Sequence, residues 1–290
     1  MSGLRTAAAA TAGTAGLVWL GGCVALHQRA MGRVRRPDVP AEPEVRGERL
    51  DVRTADGLRL LAWHLPGTRP AVVVVSGGNR GWAGDVLGVA TDLQRSGLHV
   101  VVHGWRGTPG CDPSPHSLGV HERRDLGAVL DATRRQLGDL PLGLLGYSMG
   151  GAVAISVAAT DPRVRAVCTD CAFDDPRRVL GDGVRRVLRL PGPVLTLPVG
   201  AWLVLRTGAR LSDLRPLRRV AGIAPRRLLL IHGGADASVP PDHARRLHAA
   251  AGPGAELWIL PGTGHCGGYQ ADRGAYVQRV AGFFEDALLG

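Results

Sequence analysis

Leu140-Pro141-Leu142-Gly143-Leu144-Leu145-Gly146-Tyr147-Ser148-Met149-Gly150-Gly151 is the stretch that decides the fold. Residues 140–145 form an apolar run of strand length, and residues 151–159 are small, uncharged and mostly apolar, as in a buried helix. Between them lies G-x-S-x-G. A strand that turns straight into a helix leaves no room for side chains at the flanking positions, hence Gly146 and Gly150. The turn holds the Ser148 hydroxyl out at the end of the strand, against a helix N-terminus. In a chain with 42 glycines the five-residue pattern says little by itself. Its setting between a strand and a helix makes it specific.

Outward from this point the chain alternates. Apolar strand runs at 71–75, 98–102, 164–167, 227–231 and 257–260 are separated by helical stretches at 82–95, 120–136, 176–188, 242–251 and 274–289. Ahead of them, 50–53 and 58–64 read as a hairpin turning at Ala55-Asp56-Gly57. Continuous apolar strands with helices between them predict an α/β fold: a mostly parallel central sheet covered on both faces. Sites in such sheets lie beyond the C-terminal strand ends. One segment departs from the alternation. Residues 190–205 carry no charge and include Pro191, Pro193 and Pro198, a poor transmembrane span at sixteen residues. Falling between two sheet strands, it reads as part of a small apolar cap inserted at about 176–216 over the site. An ordinary hydrophobic helix packed on the sheet is the alternative.

Composition limits the other classes. A chain of 290 residues buries about three quarters of its unfolded surface and needs no disulfide or metal staple. With 45% hydrophobic and 21% charged residues it is globular, not disordered. The net charge of +10 comes from 35 arginines without one lysine, scattered in pairs such as Arg123-Arg124 and Arg226-Arg227. No long basic run or aromatic interleaving accompanies them, which argues against nucleic acid and leaves at most a weak pull toward anionic lipid. Five cysteines cannot all pair within one chain. Cys168 and Cys171 form a C-x-x-C, the form of a redox pair or a metal half-site, but no second zinc-type pair accompanies it. The preferred reading is a buried Cys168 in the apolar run, with Cys171 just beyond it.

A serine hydroxyl attacks only when a base takes its proton and a carboxylate orients that base. Asp236 lies 88 residues after Ser148, in the loop after the 227–231 strand. His265 follows 29 residues later, in Pro261-Gly262-Thr263-Gly264-His265 after the last strand. Of ten histidines only His265 combines that position with a glycine approach. His232 reads as structural, and His103 as a weaker candidate to line the site. Asp170 and Asp174 follow an earlier strand and compete with Asp236. Asp170 reads as a strand-end residue pairing with backbone and Asp174 as a helix N-cap.

The N-terminus poses a different problem. Residues 7–26 are twenty consecutive uncharged, mostly apolar residues, enough at about 1.5 Å each to cross a bilayer core. Leu20-Gly21-Gly22-Cys23 has the form of a lipidation box, but Val24-Ala25-Leu26 continues the apolar run. Arg5 precedes the run, whereas Arg29, Arg33, Arg35 and Arg36 follow it, a bias that keeps the C-terminal side cytoplasmic. The preferred reading is a hydrophobic helix at 1–28 retained as a membrane anchor, with an Arg/Pro-rich linker at 29–45 and a cytoplasmic domain at 46–290. A cleaved signal or a lipoprotein exported through Cys23 is the alternative.

On the Ser148 turn, the I-H-G-x-x-D-x-x-V-P segment holding Asp236 and the G-x-G-H segment holding His265, the chain resembles the α/β-hydrolases. It is similar to their bacterial serine esterase and serine aminopeptidase-like branch, over roughly 46–289. The resemblance implies a serine hydrolase cleaving a carboxylic ester, thioester or amide through an acyl-enzyme. Ser148 is then the nucleophile, His265 the base and Asp236 its orienting acid. It also implies an oxyanion hole of two backbone N–H groups. One is that of Met149; the other belongs to Ser76-Gly77-Gly78-Asn79, at Gly78 with Asn79 as the alternative. Relatives usually carry His-Gly where this chain has Ser76-Gly77, and Asp where Gly104 opens Gly104-Trp105-Arg106-Gly107, a turn of structural role. No metal or cofactor is implied. The expected partner is a small, hydrophobic acyl substrate. An acyltransferase on the same residues and a non-catalytic membrane-associated binding protein are the competing readings.

Overall fold

Side chains alternate across the central strands, and each set feeds one of two cores. Val72 and Val74, with Val101 and Leu144, join one apolar cluster. Val73 and Val75, with Val100, Val102 and Leu145, join the other. A strand apolar on both faces is stable only between two helical layers. The computed structural model describes residues 46–79, 81, 85–189 and 191–290, and the two layers are there. Helices α1 (Val86–Arg95) and α9 (Arg273–Leu288) pack into one core. Helices α2 (Glu122–Leu137), α3 (Met149–Ala158) and α7 (Asp242–Ala251) pack into the other.

The sheet between them has eight strands in the order β1-β2-β4-β3-β5-β6-β7-β8. They are β1 (Glu48–Arg53), β2 (Arg59–Leu65), β3 (Val72–Ser76), β4 (His99–His103), β5 (Leu142–Tyr147), β6 (Val164–Asp170), β7 (Arg227–Gly233) and β8 (Ala255–Leu260). β1 and β2 form the expected antiparallel hairpin, Gly57 taking φ +86° at its turn, and β2 pairs antiparallel with β4. All other pairings are parallel. The ends of β3, β5, β7 and β8 therefore open on one edge. The fold is the mostly parallel α/β arrangement expected from sequence.

α3 is the central helix. All ten of its residues are buried, which is why its sequence shows no polar face. Between β6 and β7 the chain inserts α4 (Pro176–Leu188), α5 (Pro193–Thr207) and a single turn, α6 (Pro216–Arg219). α5 starts three residues later than the apolar run and keeps Pro198 within it. One of its faces joins the core through Leu203, while Leu197 and Leu205 are 73% and 79% exposed. His121 Nε2 at the start of α2 bonds the Thr207 carbonyl at 2.8 Å, tying the end of α5 to the main body.

Two local expectations are corrected. The helix cap at the start of α4 is Asp175, whose carboxylate accepts the Arg177 N–H. Asp174 is instead buried between His243, Arg178 and Arg246, because its side chain points at α7 rather than along α4. The expected final helix is preceded by a separate turn, α8 (Gly268–Ala271), and Asp272 caps α9. The hydrophobic run at 7–26, the 29–45 linker and Cys23 lie outside the described residues, as does Trp82, where the first helix was expected to begin. Among the described residues no helix is long and apolar enough to cross a membrane.

Candidate active site

The turn after β5 is as tight as its glycines imply. A Cβ on Gly146 would stand 2.5 Å from the Gly150 carbonyl oxygen, and one on Gly150 would stand 2.3 Å from that of Ser76. Ser148 sits between them at φ +50°, a left-handed conformation costing on the order of 1–3 kcal/mol for a residue with a side chain. The Ser148 N–H donates to the Asp170 carbonyl at 2.8 Å, which pins the strained residue to the end of β6.

β7 and β8 deliver the other two groups. Asp236 is buried in the loop after β7, and its Oδ1 accepts the amides of Ser238 at 2.8 Å and Val239 at 2.9 Å. Those bonds leave Oδ2 aimed at the His265 Nδ1, 2.7 Å away. His265 Nε2 lies 3.0 Å from Ser148 Oγ. A carboxylate only accepts, so Nδ1 carries the proton and Nε2 faces the serine as an acceptor. The loops are held together by Ala235 N–H bonding the Thr263 carbonyl at 2.9 Å. A Cβ on Gly233 would stand 2.3 Å from the Gly264 oxygen, so these loops approach closely.

The electrostatics follow from the contacts. Burial works to raise the Asp236 pKa, but hydrogen bonds from His232, His265 and the Val239 amide outweigh it and hold the carboxyl far below the usual range. Burial works to lower the His265 pKa, but its bond to Asp236, with contributions from Cys171, carries it well above the ordinary 6.5. A fixed carboxylate beneath an imidazole stabilises the positive charge that proton uptake creates.

The loop after β3 completes the corner. Gly78 lies beside Ser148, a Cβ there standing 3.5 Å from Ser148 Cβ, and Gly77 is packed against Gly81. The Met149 amide opens α3, where backbone N–H groups lack intrahelical acceptors. Ser76 bonds His103 Nε2 at 2.8 Å across the β3–β4 register, so His103 is a buried structural residue and not a lining one. Its burial lowers its pKa to about 4. His232 is likewise structural, its Nε2 2.8 Å from the Val239 carbonyl.

Asp170 and Asp174 take no part in this chain of contacts. Asp170 accepts from the Tyr276 hydroxyl at 2.9 Å, a side-chain partner in place of the expected backbone one, and burial raises its pKa. Two other features were not legible beforehand. Trp105 Nε1 donates to the Gly77 and Gly78 carbonyls at 2.9 and 3.0 Å and so orients the β3 loop; its sole sequence signal is its place just after β4. Cys171 and Cys266 flank His265, and the Cys171 Sγ accepts the Cys266 amide at 3.2 Å. Cys266 adjoins His265 in sequence, but 95 residues separate the two thiols.

The comparisons with known proteins agree with this architecture. The family model described as serine aminopeptidase, S33, matches residues 67–219, more than half of the chain. An uncharacterized protein of Mycobacterium tuberculosis is 29% identical over 254 residues, covering 84% of this chain and 82% of that protein. The uncharacterized protein YfhR of Escherichia coli is 24% identical over 250 residues, covering 83% and 81%. Among solved structures, an esterase of Pyrococcus furiosus superposes with a TM-score of 0.71 at 20% identity, over 84% of this chain and 92% of that one. Est1E of Butyrivibrio proteoclasticus, solved with ferulic acid, gives 0.65 at 16% identity, over 84% and 100%. The strand order, the central helix and the matched family model lead to one assignment: the chain belongs to the serine aminopeptidase S33 family of α/β-hydrolases.

Proposed function

We propose that the protein is a serine hydrolase that cleaves a carboxylic ester, or a thioester or amide, through an acyl-enzyme. The observation that carries this reading is the unbroken line Asp236–His265–Ser148, with contacts of 2.7 and 3.0 Å. In this mechanism Ser148 Oγ attacks the acyl carbonyl as its proton passes to His265 Nε2, and the imidazolium is stabilised by Asp236. The Met149 and Gly78 amides receive the oxyanion, an interaction worth about 3 kcal/mol per donor. His265 returns its proton to the leaving group, and water then resolves the ester on Ser148 with His265 again as base. The apolar residues Leu197 and Leu205, exposed on α5 of the insertion, favour a hydrophobic acyl group.

The test is hydrolysis of p-nitrophenyl esters of graded acyl length by the full-length chain. Activity is expected, and Ser148→Ala should lower kcat by about 10,000-fold or more. A variant with near wild-type turnover would exclude Ser148 as the nucleophile. Membrane anchoring through residues 7–26, with the catalytic domain cytoplasmic, is proposed from the sequence alone.

A further inference from the structure

We propose that Cys171, Cys266 and His265 form an inhibitory binding site for a soft divalent cation, zinc being the first candidate. The inhibitory consequence rests on His265 being the base; the site itself does not. One ligand atom from each of the three residues lies within 4.8 Å of the other two. Tetrahedral zinc with bonds of about 2.3 Å to sulfur and 2.0 Å to nitrogen holds its ligands roughly 3.5–3.8 Å apart, so the cluster needs to close by at most about 1 Å. Two thiols and one imidazole select zinc and similar ions over magnesium and calcium.

Two backbone amides already face one of the sulfurs. The Cys266 and Gly233 amides donate to Cys171 Sγ at 3.2 and 3.5 Å, the kind of outer contact that orients and stabilises a coordinating sulfur. Both cysteines have φ +53° and sit in the loops after β6 and β8. A second cluster, Cys171 with His232 and Asp236, is buried throughout. The cluster with Cys266 is open to solvent through His265, whose side chain is 30% exposed. A cation held there engages the imidazole and withdraws it from the Asp236–His265–Ser148 line, so hydrolysis stops until the cation leaves.

The experiment uses the full-length protein, kept reduced with a phosphine so that a Cys171–Cys266 disulfide does not form. Cobalt(II) is the spectroscopic probe and zinc the inhibitor. The expected result is a near-ultraviolet thiolate-to-cobalt absorption in the wild type and in Ser148→Ala, displaced by zinc. The band should be lost in Cys266→Ser and in Cys171→Ser. The zinc concentration that halves ester hydrolysis, relative to each variant's own metal-free rate, should rise by about 100-fold. Cys266 is partly exposed, so its variant keeps the test decisive if Cys171→Ser fails to fold. A missing band in the wild type, or one that persists in Cys266→Ser, would overturn the site. A band without inhibition would overturn the inhibitory role and direct doubt at His265 as the base. If Ser148→Ala alone shows that the hydrolase reading is wrong, the cobalt band still decides the site.

Discussion

At the scale of single residues, the arrangement turns on which carboxylate serves His265. Asp236 spends one oxygen on two backbone amides and the other on Nδ1, so its position is fixed before any substrate arrives. Asp170 is occupied by Tyr276, and Asp174 by His243 and two arginines. Replacing the orienting acid by its amide should lower kcat by up to about 10,000-fold. Asp236→Asn is therefore expected to be nearly inactive while still folded, and Asp170→Asn to retain most of its turnover. The opposite ranking in steady-state kinetics would move the acid to β6. The pH profile tests the same contact. A base acts only when neutral, and Asp236 raises the His265 pKa above 6.5. The acid limb of kcat/KM should accordingly lie above 6.5 in the wild type and shift downward in Asp236→Asn.

At the scale of elements, the strands and the Ser148 turn were legible because their signals are local. Apolar runs, a hairpin glycine and G-x-S-x-G each act through neighbours in sequence. The loop after β4 was not legible in the same way. Gly104-Trp105-Arg106-Gly107 reads as a structural turn, and half of it is: buried Arg106 forks onto Asp125 and reaches Asp56. Trp105, however, spans to the β3 loop through bonds that depend on the parallel pairing of β3 and β4, which no local pattern encodes. The Asp174 reading failed for a similar reason, since its partners come from α7, roughly seventy residues away. If Trp105 holds the Gly78 amide in place, Trp105→Phe should keep the packing and lose the orientation. We expect kcat for ester hydrolysis to fall about tenfold or more with KM and Tm little changed. A change confined to Tm would make Trp105 a packing residue only.

At the scale of the molecule, buried carboxylates set the response to acid. Glu122 is fully buried at the start of α2; burial raises its pKa, but His116, the Ser117 hydroxyl and backbone amides bring it down to about 2 from an ordinary 4.5. Asp174 is likewise lowered to about 2, its burial outweighed by His243 and Arg246. A carboxyl whose folded pKa is depressed adds stability above its unfolded value and loses it as pH falls through the folded one. For Glu122 this amounts to at most about 3 kcal/mol. Tm should thus hold above pH 4.5 and fall steeply from there toward 2. Glu122→Gln should start lower at neutral pH and decline less in acid, by calorimetry. The proposed anchor at 7–26 has its own test. Full-length protein should sediment with membranes, and a chain beginning at Arg46 should be soluble and active. Digestion by protease added to intact cells would instead favour export through Cys23.

The central claim is that Ser148 is a nucleophile activated by His265. Its most direct measurement is intact-protein mass after reaction with a fluorophosphonate, followed by peptide mapping. A single phosphonyl adduct is expected on Ser148, absent from Ser148→Ala and formed at least a hundredfold more slowly in His265→Ala. No adduct on folded protein, or an adduct on another residue, would contradict it.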